Sequence, residues 1–466
     1  MSETPKHIHI IGICGVATSA IAIAFQNKGW KVTGSDKGFF PPVSTELEKH
    51  SISFYAGWHP EKVGNPDIVM TGGSGTSPSN PEVMYANKNK IPVYDFPQIL
   101  EKYFIKKNSI VTVGTWGKTT TSSLLSFILI QAGMNPSYFS GGLSLSHDTG
   151  ALTDSDCSVV EGDEYQVSIS DKRPKFVYYR PTHLLLTSVS WDHADLYPTE
   201  ESYFKVFEDL IKKPMVIVAC NDDKGVNKIL GDRKAITYGK TTDSDYFYHS
   251  MQHTRNGLTF IIEHGDKKYE IHSPMLGRFN AENITGCFAM ANEIGIAPEV
   301  IIKAIRDFKG IKRRFEKRFE RDTTVLDCHA PTPEKAQSVL ESIREVYDEK
   351  IIAVYEPNIG GRQRESLEKY NNAFKDANIV IIPRLTKLKV AEDAKEKPLE
   401  GDGLASVISK THSNTKYIED DTELVKYLKE TVRKGDVIVF LGSHGFRGMI
   451  EETIALLSTF PHQQSQ

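Results

Sequence analysis

The chain has 466 residues, 39% hydrophobic and 25% charged, which predicts a globular protein of roughly three domains. Its net charge of -4, with both signs interspersed, argues against a large polybasic surface for nucleic acid or an acidic membrane. No apolar run approaches the roughly 18 residues of a spanning helix, and Met1-Ser2-Glu3-Thr4-Pro5-Lys6 leads straight into a strand, so no membrane partner and a cytoplasmic location are expected.

In chain order, residues 7–11 read as a short apolar strand, followed by the turn Gly12-Ile13-Cys14-Gly15 and a helical pattern through Ile21, Ala24 and Phe25. A second strand, residues 30–33, ends at Gly34-Ser35-Asp36. Strand, glycine turn, helix, strand and terminal acid follow the order of a dinucleotide-binding unit, with Asp36 where an acid can meet a ribose or a base. The glycine spacing is degenerate, and open α/β sheets use such turns for many phosphorylated ligands, so a nicotinamide-binding oxidoreductase stays an alternative here. Residues 67–71 read as a buried strand, with a flexible loop at Gly72-Gly73-Ser74-Gly75-Thr76. Charges replace the apolar pattern over residues 101–107, a boundary that closes a first domain at residues 1–106.

The strongest signal follows. The β-branched run Ile110-Val111-Thr112-Val113 precedes Gly114-Thr115-Trp116-Gly117-Lys118-Thr119-Thr120-Thr121 and an apolar helical segment. Glycines let the backbone approach phosphates, and N–H groups at a helix N-terminus carry a partial charge of about +0.5 toward an anion. Lys118 adds a full charge, and the Thr119 hydroxyl can reach a magnesium ion bridging phosphate oxygens. The match to the usual nucleotide loop is incomplete, because Thr112 stands five positions before Gly117 where that loop has glycine.

Two further strands deliver polar groups to the same region. Cys157-Ser158-Val159-Val160 runs into Glu161-Gly162-Asp163-Glu164-Tyr165, and the apolar run over residues 184–190 ends at Trp191-Asp192-His193-Ala194-Asp195. Ligands of doubly wound sheets sit beyond the carboxyl ends of the strands, so these three ends are expected to converge. Glu161 is the candidate magnesium carboxylate, and His193 can offer an imidazole nitrogen to a second metal. The basic, aromatic stretch of residues 171–181 reads as a solvated loop or as a surface for an anionic substrate, with Arg180 its candidate contact. Gly277-Arg278-Phe279-Asn280-Ala281-Glu282-Asn283 opens a helix; Asn280 is a candidate cap, and Asn283 can present its amide to a base.

Lys312-Arg313-Arg314-Phe315-Glu316-Lys317-Arg318 marks the next boundary, giving domains at residues 107–311 and 312–466. Interleaved acids argue against a nucleic-acid arm and favour a hinge or a phosphate contact, for which Arg314 is the candidate. The last domain again alternates strands and helices, with helices expected near residues 333–347 and 367–374, and ends in a strand before Gly442-Ser443-His444-Gly445. The five cysteines, Cys14, Cys157, Cys220, Cys287 and Cys328, form no Cys-x-x-Cys pair and are expected to be buried thiols.

Taken in order, the Gly34-Ser35-Asp36 turn, the Gly114–Thr120 loop, Glu161-Gly162-Asp163-Glu164, Asp192-His193 and Gly277–Asn283 resemble the Mur ligase family over nearly the whole chain. The resemblance implies three α/β domains: a Rossmann-like UDP-sugar domain, a central P-loop ATPase domain and a Rossmann-like C-terminal domain. It implies an ATP-dependent amide ligase of the cell wall that activates the carboxylate of UDP-N-acetylmuramate as an acyl phosphate for attack by an amine. Gly114, Thr115, Gly117, Lys118, Thr119 and Thr120 would cradle ATP, and Thr119, Glu161 and His193 would hold magnesium. Asn280 and Asn283 would meet the adenine, with Arg314 and Asp327 further contacts to ATP; Lys118, Glu161 and His193 form the catalytic set. Gly12, Cys14, Gly15, Ser35, Asp36 and Arg180 would contact the UDP-sugar substrate, in a monomer or homodimer.

Pro41-Pro42-Val43-Ser44-Thr45 and residues 171–181 look most like the murein peptide ligase branch, which joins L-alanyl-γ-D-glutamyl-meso-diaminopimelate; the alanine-adding branch is the alternative. The chain departs from the family at Trp116 and Phe279, which stand where histidine is usual. It departs again at Asp327-Cys328-His329-Ala330-Pro331, where one acid and a histidine pair are replaced, and at Glu356-Pro357-Asn358-Ile359. A protein that keeps ATP but has lost amide synthesis is therefore a further alternative.

Overall fold

The computed structural model describes residues 6–39, 43–72, 77–168, 171–193, 195–386 and 398–458. Pro41, Pro42, the loop Gly73–Thr76 and Ala194 lie outside them.

The first sheet contains β1 (His7–Ile11), β2 (Lys31–Asp36), β3 (Ser53–Ala56), β4 (Ile68–Thr71) and β5 (Val93–Asp95). Its order is β3-β2-β1-β4-β5, parallel throughout. Ile8, Ile10, Val69 and Met70 are fully buried, as near-continuous apolar strands covered on both faces must be. Strand order reverses between β1 and β4, so the crevice of this sheet opens at the Gly12 turn, where glycine takes φ +84°.

The second sheet contains β6 (Asn108–Val113), β7 (Ser137–Phe139), β8 (Gly150–Ala151), β9 (Cys157–Glu161), β10 (His183–Leu186), β11 (Val216–Cys220), β12 (Ile236–Gly239), β13 (Tyr246–Thr254), β14 (Gly257–His264) and β15 (Lys267–Ser273). Its order is β15-β14-β13-β12-β11-β10-β6-β9-β7-β8. The run from β12 to β7 is parallel, and β6 lies between β10 and β9. The strand ends predicted to converge are therefore immediate neighbours.

The third sheet contains β16 (Glu316–Glu320), β17 (Thr324–Cys328), β18 (Ile351–Glu356), β19 (Ile379–Pro383), β20 (Thr415–Ile418) and β21 (Val437–Gly442), in the order β16-β17-β21-β18-β19-β20. Only β16 runs antiparallel. Three α/β sheets with this connectivity match the expected fold class.

The chain divides into two compact units: Met1–Gln252, Leu258–Pro274 and Phe279–Ile311 in one, His253–Gly257, Met275–Arg278 and Lys312–Gln466 in the other. The first two sheets share a unit because one apolar core runs through both. Phe25 and Phe104 pack beneath the first sheet, and Phe96 meets Phe139 edge-on at 5.2 Å.

Residues 100–104 make a wide helical turn with Leu100 and Phe104 fully buried. Three local expectations are corrected. Residues 367–374 do not form a helix. Three single turns, Gly360–Arg362, Arg364–Ser366 and Glu368–Tyr370, precede a left-handed Asn372, while Tyr370 and Phe374 pack on Tyr355. The run 184–190 leaves the ladder after Leu186, and Asn280 lies inside the helix Phe279–Glu293 instead of capping it. The five cysteines are buried and unpaired, as expected.

Candidate functional site

The helix Lys118–Gln131 starts at Gly117, which takes φ +83°; Gly114 takes φ +143°. A Cβ on Gly114 would fall 2.2 Å from Thr187 Oγ1, and one on Gly117 would fall 2.5 Å from Asn283 Oδ1. Both conformation and space therefore demand glycine. Thr187 leaves β10 in order to fasten this loop: its hydroxyl lies 3.1 Å from Val113 O and 2.5 Å from Trp116 O. Trp116 N–H donates to Ser188 Oγ at 2.9 Å, and Thr115 N–H to Ser188 O at 2.9 Å. The Thr115 hydroxyl is spent within the protein, donating to Ser190 O and meeting Tyr203 Oη, each at 2.9 Å.

Lys118 Nζ folds back over the loop, donates to Gly114 O, and pairs with Glu164 at 2.9 Å. The Glu164 side chain is 2% exposed and that of Lys118 13%, so the pair is largely withdrawn from water. Thr119 Oγ1 donates to Glu161 Oε1 at 3.0 Å, and the Gly141 N–H donates to Glu161 Oε2 at 2.5 Å. Burial pushes the Glu161 carboxyl above its ordinary range, against the pull of Lys118 and of those two donors.

His193 takes φ +55°, with its N–H on Asp192 Oδ1 at 2.7 Å. Its Nε2 lies 3.6 Å from Glu164 Oε1, and that carboxylate holds the imidazole above its ordinary pKa despite burial. Lys175 Nζ sits 2.5 Å from Asp163 Oδ2. Burial raises the Asp163 carboxyl, but Lys175 and the Tyr165 N–H outweigh it and leave the group below its usual range. Among the described residues no three His, Cys, Asp or Glu side chains form a metal cage. One hydroxyl and one carboxylate beside a glycine loop at a helix N-terminus are instead a donor set of the kind magnesium takes, since it uses few protein oxygens and draws the rest from phosphates and water.

Asn280 and Asn283, 5% and 6% exposed, lie beside this loop: Asn283 Nδ2 donates to Asn280 Oδ1 at 3.1 Å, and Thr121 Oγ1 lies 3.5 Å from Asn283 Oδ1. Thr120 is buried in the first turn of the loop helix.

In the first sheet, Gly12, Cys14, Gly15 and Asp36 meet at the carboxyl ends of β1 and β2. The Asp36 carboxylate accepts the Cys14 N–H at 2.8 Å and the Lys37 N–H at 2.7 Å, so it shapes the turn itself. Ser35 is fully buried and its hydroxyl turns inward to Glu82, which also accepts from Tyr55 Oη at 2.8 Å and the His59 N–H at 2.7 Å. Arg180 is exposed and pairs with Glu101, apart from the loop residues. In the other unit, Asp327 is buried and pairs with Arg313 at 3.3 Å, while Arg314 is exposed.

The sequence reading passed over Glu164 as a partner for Lys118, and Gly141 altogether. The Glu161-x-x-Glu164 spacing and Gly141-Gly142 beyond β7, a strand that pairs with β9, were the available signals.

A lysine-bearing glycine loop at a helix N-terminus, between the Glu161 end of β9 and the Thr187-Ser188 hydroxyls beyond β10, is the arrangement by which α/β proteins receive phosphates. Models of the Mur ligase family catalytic domain, the Mur ligase middle domain and the Mur ligase glutamate ligase domain match residues 7–107, 111–291 and 313–444. A UDP-N-acetylmuramate--L-alanine ligase of Novosphingobium aromaticivorans is 31% identical, over 94% of each chain. The structure of a UDP-N-acetylmuramate-alanine ligase from Thermotoga maritima superposes with TM-score 0.79 at 23% identity, covering 97% of this chain and 99% of that one. A murein peptide ligase from Psychrobacter arcticus gives TM-score 0.68 at 24% identity, covering 98% and 99%. The chain belongs to the Mur ligase family and is an ATP-dependent amide-bond-forming ligase of peptidoglycan precursor synthesis. Among the described residues, no helix is long and apolar enough to cross a membrane.

Proposed function

We propose that this ligase acts in the cytoplasm on the carboxylate of UDP-N-acetylmuramate and joins it to L-alanine. The supporting observation is the 31% identity, over 94% of each chain, to an enzyme named for that reaction. This replaces the tripeptide expected from the short motifs, because full-length likeness samples every surface of the molecule and two motifs do not. We assign the UDP-sugar to the Gly12, Cys14, Gly15 and Asp36 turn, ATP to Gly114–Thr120, and Lys118, Glu161 and His193 to the reacting groups, in domains 1–106, 107–311 and 312–466.

Lys118 is held over the loop by Glu164, so its charge is already in place when phosphates arrive and little reorganisation is needed. Thr119 and Glu161 would hold magnesium, which offsets the repulsion between two anions and stabilises charge on the transferred phosphoryl group. The protein's part in the chemistry is positioning: it brings a carboxylate, a poor acyl donor, to a phosphoryl group, then admits the amine to the activated carbonyl. Asn280 and Asn283 are assigned to the nucleotide base.

A second reading keeps the tripeptide as the amine. It is favoured by residues 171–181, which carry Lys175 onto Asp163 next to the reacting groups. The test is phosphate release from ATP and magnesium with UDP-N-acetylmuramate, with L-alanine and the tripeptide in parallel. Release with L-alanine supports the first reading and release with the tripeptide alone the second. Release with neither overturns both.

A further inference from the structure

The phosphate cradle is built from backbone and from Lys118, yet the residue before Gly117 is a tryptophan whose side chain does nothing for that cradle. Trp116 is 56% exposed, the most an aromatic residue of the central sheet's loops shows among the exposed large hydrophobics. Its backbone is clamped on both sides, by Ser188 Oγ at 2.9 Å and Thr187 Oγ1 at 2.5 Å, so the indole is presented from a fixed point. It faces a cavity of about 400 Å³ at the carboxyl ends of β10 and β11, lined also by Val189, Ser190, Phe204, Asp222 and Lys224. Asn280 and Asn283, assigned above to the base, lie beside Gly117 but are buried and bonded to one another, which leaves the exposed indole as the group that can cover the face of that base.

We propose that Trp116 is the platform on which the nucleotide's purine base stacks, and that this ligase accepts GTP as well as ATP. The proposal rests on Gly114–Thr119 being the phosphate site. A stacked ring reads the face of the base, which adenine and guanine share, and not its edge. The rim is polar, with the Asp222 carboxylate already accepting the Lys240 N–H at 2.8 Å and Lys224 on the same cavity, so edge contacts there do not set one purine above the other. Small pyrimidines lose stacking area and are expected to bind less well.

The test is calorimetric titration of the full chain with the magnesium complexes of adenylyl, guanylyl and uridylyl imidodiphosphate and with inorganic tripolyphosphate. The two purine analogues are expected to bind within about fivefold of each other, and the uridine analogue at least tenfold more weakly. Trp116→Ala is expected to weaken both purine analogues roughly 5- to 100-fold, the range of a lost base stack, with tripolyphosphate affinity unchanged. Trp116→Phe is expected to restore most of the loss, which separates stacking from misfolding. Unchanged purine affinity in Trp116→Ala overturns the platform, as does an equal loss of tripolyphosphate, which reports a distorted loop. A guanylyl analogue bound more than a hundredfold more weakly than the adenylyl one overturns the relaxed choice. Failure of tripolyphosphate to bind wild type, with Lys118→Ala indistinguishable from it, overturns the phosphate-site reading itself.

Discussion

The loop Gly114–Thr119 and the segment Asp327–His329 both carry charged groups at the carboxyl end of a parallel strand, but they are satisfied differently. Around the loop, Glu161 is held by two neutral donors and Lys118 by one acid, an arrangement that leaves anionic charge beside a cationic helix end. At Asp327 the charges are consumed by the fold. Arg313, itself left-handed at φ +61°, spends its guanidinium on Asp327 and on the carbonyls of Gly442, Ser443 and His444 at 2.7–3.0 Å. Similar residue types thus read as ligand-ready in one place and as structural in the other.

The largest expected effect breaks the first half of that contrast. Lys118→Ala should lower ATP turnover about 10³-fold, the scale of a lost transition-state charge clamp. Its stability should also fall, by about 3 kcal/mol, because Glu164 is left buried without its partner. Pairing it with Glu164→Gln should restore most of the melting temperature and none of the turnover. Turnover in the double variant within tenfold of wild type would remove Lys118 from the reaction.

Next, Gly117→Ala tests whether the loop's geometry or its lysine dominates. The left-handed φ and the 2.5 Å approach to Asn283 should together cost about 1–2 kcal/mol in urea unfolding and weaken nucleotide binding about tenfold. An unaffected Kd would mean that the backbone N–H groups are not the cradle.

The second half of the contrast is tested by pH. Burial lifts the Asp327 carboxyl to about 6, against the pull of Arg313. The folded state then binds this proton more tightly than the unfolded chain, so its contribution to stability rises as pH falls from about 6 toward the ordinary carboxylate range. His329 behaves oppositely. Burial and the charges of Arg314 and Arg313 hold it near 3, so the unfolded chain takes up the proton first and stability falls as pH drops from about 6.5 toward 3. Between pH 7 and 4, wild type should therefore gain about 2 kcal/mol on Asp327→Asn and lose ground to His329→Asn, read from urea midpoints. Parallel curves for all three proteins would mean that neither group is held by the fold.

Most of the architecture was legible because buried parallel strands are written as β-branched runs that end at glycine or an acid, as in Ile110–Gly114 and Val159–Glu161. Even the convergence of three strand ends followed from that pattern, since β9, β6 and β10 are adjacent. What was not legible depends on partners distant in sequence. Nothing local says that Glu164 will claim Lys118, that Ser35 will turn inward to Glu82, or that Thr187 will leave its strand to hold Trp116. Residues 367–374 misread as a helix for a related reason: Tyr370 and Phe374 have helical spacing, but they are recruited to Tyr355 from single turns.

The smallest expected effect concerns Arg180, which the sequence offered as a substrate contact. Its guanidinium is exposed and paired with Glu101, at a left-handed φ of +37°. Exposed pairs of this kind contribute about 0–1 kcal/mol, since water already solvates both partners and the long side chain must be ordered to make the contact. Arg180→Ala should therefore leave turnover and the KM for the nucleotide sugar within about twofold, and the melting temperature nearly unchanged. A tenfold rise in that KM would show that Arg180 abandons Glu101 for an anionic substrate, and would move this surface from the structural side of the comparison to the ligand-ready one.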